Sequence, residues 1–190
     1  MLTTLNHALK EWEVAVNALE KGETILLLRK GGIREDKGHF EVDYNPVLLY
    51  PTYEHQKPHL LKSQYASLVN PVPSGWHPQT ISISIWAEIT HVFQLRNISI
   101  IKQLLPYHIW KNNVIEERFK WKPSQPLFIL LLRVFSLPQS LLISYRSNYG
   151  GCRSWIQLDS DISLLGSQPV ITDNNYYQIL EAIQEIIISA

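Results

Sequence analysis

Thr80-Ile81-Ser82-Ile83-Ser84-Ile85-Trp86-Ala87-Glu88-Ile89-Thr90-His91-Val92-Phe93-Gln94-Leu95 alternates apolar and polar residues with a period of two. Ile81, Ile83, Ile85, Ala87, Ile89, His91, Phe93 and Leu95 share one face. The other face carries Ser82, Ser84, Trp86, Glu88, Thr90 and Gln94, with Val92 as its exception. This is the pattern of a strand with one buried side. Fully extended, it would span roughly 50 Å, well beyond an ordinary strand. It should therefore bend, carry a bulge or coil around a barrel-like sheet. His91, in the apolar row, is expected to be a hydrogen-bonded core histidine.

Around this strand the chain reads as α+β. Leu127–Phe135 is apolar until Arg133 and predicts a central strand covered on both faces. A charge inside it requires a carboxylate or several carbonyl partners, with Glu88 and Glu116 as candidates. Ile25–Leu28 and Val47–Tyr50 predict further strands, residues 40–44 a short returning strand, and Arg153–Leu158 another. Leu5, Leu9, Trp12, Val16 and Leu19 recur at helical spacing, with Thr3 or Thr4 as cap, Gly22 as terminator and Trp12 as a core anchor. Asn97 should cap a short helix stopped by Pro106, and a second helix is expected over 108–120. Asp173 should cap a last helix with the stripe Tyr176, Leu180, Ile183 and Ile187. Strands and helices do not alternate regularly, so a doubly wound parallel sheet is not expected. The expected architecture is a strongly curved mixed or antiparallel sheet bracketed by helices at the N- and C-terminal ends.

The 190 residues fit one domain, 1–190, with a core large enough to need no staples. Hydrophobic content of 45% against 18% charged residues argues against disorder. Cys152 is the sole cysteine, which excludes an internal disulfide and fits a reducing compartment. There is neither a cationic-then-apolar leader nor an apolar run of membrane-spanning length, so a cytoplasmic protein with no membrane partner is expected. The zero net charge hides a segregation. Residues 102–153 carry eight basic and two acidic side chains, whereas 154–190 carry five acids and no bases. The basic stretch is either packed against the acidic helix or open to polyanions.

Three polar segments interrupt the apolar runs and carry the candidate chemistry. In the first, Arg29, Lys30 and Arg34 surround Gly31-Gly32, whose backbone N–H groups could join the cations in holding a phosphate. The spacing is neither a Walker loop nor a dinucleotide fingerprint, so no cofactor is expected, and the alternative is a solvated turn. Glu35-Asp36-Lys37 has nuclease-like order but falls in a turn. The second segment, Tyr53-Glu54-His55-Gln56, offers an acid–base pair. Glu54, His55 and His59 also suggest a metal, but Pro58 breaks the helix that would align them, and no metal is expected. The third, Tyr149-Gly150-Gly151-Cys152-Arg153-Ser154-Trp155, sets a thiol beside glycines and a cation, either as a reactive group or as a small residue under a tight turn.

These segments, with Ala8-Leu9-Lys10-Glu11-Trp12, Leu27-Leu28-Arg29-Lys30-Gly31-Gly32-Ile33, Arg118-Phe119-Lys120-Trp121-Lys122-Pro123 and Leu131-Leu132-Arg133-Val134, resemble the cyanobacterial proteins grouped as domain of unknown function 1802. The resemblance supplies no activity. It implies a DNA-facing, restriction-modification-associated context, because relatives are linked to restriction-type nuclease domains. The opening is also similar to ASCH and PUA-like domains, small β-barrels that bind RNA or modified bases. The usual G-x-K-x-x-E-x-R run is absent after Gly22.

The expected function is a non-catalytic module for nucleic acid or a nucleotide-like anion. Arg29, Lys30, Gly31, Gly32 and Arg34 would hold phosphate, Lys120, Lys122 and Arg153 would extend the positive face, and Tyr53 or Trp155 would stack on a base. The alternatives are a hydrolase or nuclease-related enzyme using Glu54, His55 and Cys152, and a protein-binding adaptor marked by an exposed apolar patch. The binding and hydrolase readings both depend on whether the three polar segments meet around one cleft.

Overall fold

The computed structural model describes residues 3–30, 41–121 and 123–189. Seven strands form one sheet: β1 (Thr4–Trp12), β2 (Leu26–Arg29), β3 (Val47–Thr52), β4 (Thr80–Leu95), β5 (Leu127–Ser144), β6 (Trp155–Ser163) and β7 (Gln168–Pro169). The hydrogen-bonded order is β2-β5-β4-β3-β1-β6, with β7 also on β5. Only β1 and β3 pair in parallel; the other pairs are antiparallel. The helices are α1 (Glu13–Glu20), α2 (Ser63–Ala66), α3 (Ile98–Gln103), α4 (Asn112–Lys120) and α5 (Asp173–Ile188). None of the described helices is long and apolar enough to cross a membrane.

The length of β4 is accommodated as its sequence requires. Its register with β5 slips twice, between Ile83 and Ile85 and between Ile89 and His91. At the first slip, Ile83 faces Leu141 while Ile85 faces Ser136, so Leu137–Ser140 bulge out of β5. Pro138 sits in that bulge, where its missing N–H breaks no ladder bond. At the second, Thr90 is the extra residue, and its hydroxyl donates to Leu131 O at 3.1 Å. Where β3 stops pairing, Asn45 continues the ladder through its amide: Nδ2 donates to Ile89 O at 2.9 Å and Oδ1 accepts from Ile89 N at 2.8 Å.

These irregularities curl the sheet without closing it into a barrel. By hydrogen-bond order β2 lies four places from β1. Even so, Arg29 at the end of β2 donates from Nη2 to Lys10 O on β1, and its Nη1 lies 3.6 Å from Glu11 Oε2. A flat sheet could not make that contact, since four strand spacings exceed the reach of one side chain. The apolar residues form two clusters, and neighbours on β1 and β3 alternate between them: Leu9, Val47 and Leu49 in one, Ala8, Leu48 and Tyr50 in the other. All of Leu127–Leu132 is buried, as expected of a central strand.

Several expectations are corrected. Residues 4–12 are a strand, so the first helix begins only at Glu13 and the N-terminal bracket is a strand followed by a helix. Trp12 is half-buried at the start of α1, edge-on to Trp110 with centroids 4.8 Å apart, rather than a core anchor. Residues 41–44 are irregular. His91 lies just past the second bulge; it is half-buried, with Nδ1 3.1 Å from Thr90 Oγ1. Arg133 pairs neither Glu88 nor Glu116 but Asp173, at 2.5 Å, and donates to Ile171 O at 2.7 Å. Thr172 rather than Asp173 caps α5, its hydroxyl accepting from Asn175 N at 3.3 Å. Asn97 caps α3 as expected, accepting from Ser99 N at 2.9 Å.

Arg29→Met tests the curl. It removes the side-chain link from β2 to β1 and leaves the buried Glu11 carboxylate facing fewer donors. Because Arg29 is partly solvated, the loss is discounted to about 1–2 kcal/mol of unfolding free energy, read from urea denaturation. Glu11→Gln with Arg29→Met should recover part of it, and a strictly additive double variant would refute the link.

Candidate functional site

The parallel pairing of β1 with β3 brings Trp12 opposite Thr52, so both strands end on one side. The Thr52 hydroxyl ties the ends together by donating to Glu11 O at 3.0 Å. From there β1 runs straight into α1, while β3 delivers Tyr53-Glu54-His55-Gln56. Trp12 provides no side-chain cap for α1. Gln56 does so instead: its buried Oε1 accepts from Val14 N at 3.1 Å, meeting one of the helix's free donors. To place both Glu54 and Gln56, the chain takes His55 through φ 63°, a left-handed conformation uncommon outside glycine. Strain of this kind is concentrated at working sites.

The cleft opening here has a volume of about 780 Å³. Its walls include Arg29 and Lys30 from the first polar segment, Glu54 and His55 from the second, and Gly150–Ser154 from the third. The three segments thus meet around one cleft. Strand direction places the second and third segments, because β3 ends and β6 begins beside the end of β1, but it does not bring the first segment there, because β2 is antiparallel to β5, β5 to β4 and β4 to β3. The curl of the sheet does.

Lys10 is the hub. Only 7% exposed, its Nζ donates to Tyr149 O at 2.6 Å and Gly151 O at 2.8 Å, fixing the third segment as a wall. A Cβ at Gly150, between those carbonyls, would lie 2.7 Å from the Tyr145 hydroxyl and 3.2 Å from Ser147 O, so the tyrosine would have to shift. Tyr149 is buried, and its hydroxyl accepts from Asp159 N at 3.0 Å. Burial pulls the Lys10 amine from its ordinary 10.5 to about 8, against the opposing pull of Cys152 and Glu54. Glu54 accepts from Gly75 N, tethering the Pro71–Pro78 loop, on which His77 stacks against Tyr145 at 3.3 Å between centroids.

Further lining residues are cationic. Arg118 donates to Leu28 O at 3.0 Å and lies over the Trp110 ring at 4.4 Å. Burial holds its guanidinium below the usual value, opposed by Glu11. Lys30 donates to Phe119 O at 2.8 Å, and burial lowers its pKa as well. Cys152 is a free, exposed thiol on the rim beside Arg153.

Other sequence candidates fall elsewhere. Gly31, Gly32, Arg34, Glu35 and Lys122 lie outside the described residues. Tyr53 does not line the cleft; it packs edge-on to Trp76 at 5.9 Å between centroids. Trp155 also lies off the cleft, its indole N–H donating to Glu41 O at 3.0 Å. Lys120 is exposed at the end of α4, outside the lining. Among the described residues no three His, Cys, Asp or Glu side chains are grouped to hold a metal ion. Sequence reasoning missed Lys10, Glu11, Trp12 and Arg118 as cleft residues. The signal available was their presence in two of the motifs that carry the family resemblance.

The chain is similar to two solved structures. ASCH from Zymomonas mobilis is 11% identical with a TM-score of 0.48, over 92% of this chain and 93% of that one. A serine-to-alanine variant of the same protein is 10% identical with a TM-score of 0.48, over 93% and 94%. Comparison with curated proteins finds no match. The model of the domain of unknown function DUF1802 matches residues 8–182, which takes in the cleft-forming strands and all three polar segments described above, and the chain belongs to that family.

Proposed function

We propose that the protein is a non-catalytic module that holds a nucleotide or a short stretch of nucleic acid in this cleft. One observation carries the reading: Lys10, Arg29, Lys30, Arg118 and Arg153 line a space whose carboxylates, among the described residues, are Glu11 and Glu54. Both carboxylates are engaged internally, Glu11 with Trp12 N at 2.8 Å and with Arg29, and Glu54 with Gly75 N. Cationic side chains thus outnumber carboxylates among the described lining residues, a balance that favours an anionic ligand. The indoles of Trp12 and Trp121 on the same walls offer flat apolar faces of the kind that bases stack on. The volume also falls within the usual range for a small-molecule site.

The alternative is a hydrolase using Glu54, His55 and Cys152. It is favoured by the fact that all three line the same cleft and that His55 is backbone-strained. One titration separates the two readings. Mononucleotides and fluorescent single-stranded RNA and DNA should bind at low salt, with affinity falling linearly in log–log coordinates as salt rises. Arg153→Gln, an exposed change, should weaken binding several-fold and reduce the salt slope by about one phosphate contact. Cys152→Ser should leave affinity within about twofold, since the thiol contributes no charge-assisted contact on the binding reading. Absence of binding to every probe at low salt overturns the proposal.

A further inference from the structure

Among the described residues Lys10 is the only buried lysine, and anion binding alone does not explain its geometry. An ammonium has three N–H donors, whereas a neutral amine has two donors and one lone pair. Tyr149 O and Gly151 O take two donors, and Nζ has no further hydrogen-bond partner among the described residues. Both carbonyls can be served by the neutral amine, which then keeps its lone pair in the remaining direction, on a residue that lines the cleft. Burial favours the neutral amine, and Arg153 adds to that effect while Cys152 and Glu54 oppose it. Desolvation of this kind is how lysines are made nucleophilic at neutral pH.

We propose that Lys10 is an amine nucleophile that condenses with an aldehyde or ketone carrying a phosphate. The Nζ lone pair adds to the carbonyl carbon and the carbonyl π pair moves to oxygen, which takes up one of the two N–H protons. The resulting carbinolamine loses its hydroxyl as water and one N–H proton to solvent, forming the imine. One water is released, no oxidant or reductant is consumed, and the reverse reaction regenerates the amine. His55 lines the same cleft and is a group able to carry the proton to the departing oxygen. The phosphate half of this inference rests on the anion-binding reading; the amine half does not.

The test uses the full chain and two probes, pyridoxal 5′-phosphate and pyridoxal, at about pH 7.5. Borohydride reduces any imine to a stable secondary amine, and peptide mass spectrometry scores each lysine. Lys10 should be trapped at least about tenfold faster than the exposed Lys57 and Lys111, because far more of it is unprotonated. The phosphorylated probe should outpace pyridoxal at Lys10 by about tenfold, as expected of one charge-assisted phosphate contact. Labelling of Lys10 no faster than of Lys57 and Lys111 overturns the proposal, and if nucleotides still bind, the anion-binding reading survives it. Equal labelling by both probes overturns the phosphate-bearing class and places the failure in the anion-binding reading, since the amine has then reacted.

Discussion

Gly22→Ala should lower the unfolding free energy by about 2–4 kcal/mol, from two separate costs at one position. Gly22 ends α1 with φ 69°; its N–H donates to Leu19 O at 3.0 Å, and Glu23 N donates to Ala18 O at 2.9 Å. A left-handed conformation costs an L-residue about 1–2 kcal/mol. The second cost is steric: a Cβ at Gly22 would lie 2.5 Å from Ile171 Cγ2. Ile171 cannot retreat freely, because its carbonyl accepts from the buried Arg133 and it precedes Thr172, the cap of α5. Overpacking of this kind typically costs 1–3 kcal/mol. For a domain of this size the melting temperature should fall by roughly 5–15 °C. Ile171→Ala supplies the control, since it removes the clash and leaves the backbone cost. A double-mutant cycle should show a favourable coupling of about 1–3 kcal/mol. A penalty below about 1 kcal/mol for the single variant would falsify the account.

The elements legible in the sequence were those whose partners are local or whose pattern survives burial. β4 kept its alternation because one face is buried and the other half-exposed, and its excess length required the bulges that curl the sheet. Asn97 and the stripe of α5 are local signals and appear where expected. β1 was misread for a definite reason. It lies between β3 and β6, and Ala8, Leu9, Lys10 and Glu11 are all buried, so no period of two remains to be seen. The helical spacing of Leu5, Leu9 and Trp12 was coincidental, whereas that of Val16 and Leu19 was real. This misreading also hid the centre of the site, because Lys10 and Glu11 on a helix would have been a solvated polar face. The three polar segments stood out because each interrupts an apolar run. Their convergence depends on curl and register, and the partner of Arg133, forty residues away, depends on tertiary contact that the sequence does not mark.

Lys10 should also make stability depend on pH with a sign opposite to that of an ordinary ion-paired lysine. Its proton is held less tightly in the folded state, near 8, than in the unfolded chain, near 10.5. Between those values the unfolded state binds more protons, so stability rises with pH. Below about pH 8 the folded protein bears the full cost of a buried ammonium, about 3 kcal/mol. Above about pH 10.5 the amine is neutral in both states and the cost is gone. Lys30 and Lys62 are also lowered by burial, while Tyr50 is raised by it and acts in the opposite sense, so wild-type stability alone would mix these groups. The measurement is therefore the difference in urea unfolding free energy between wild type and Lys10→Met at pH 7, 8.5 and 10. Methionine keeps most of the volume and removes the titration, and its loss of the two carbonyl contacts is a constant offset. The difference should move by about 2–3 kcal/mol in favour of the wild type from the lowest pH to the highest. A flat difference would mean that Nζ keeps its proton throughout, which would also leave no neutral amine in the cleft to react. Stability and imine trapping thus report one property, an amine whose proton is loosened by burial at the meeting point of three polar segments.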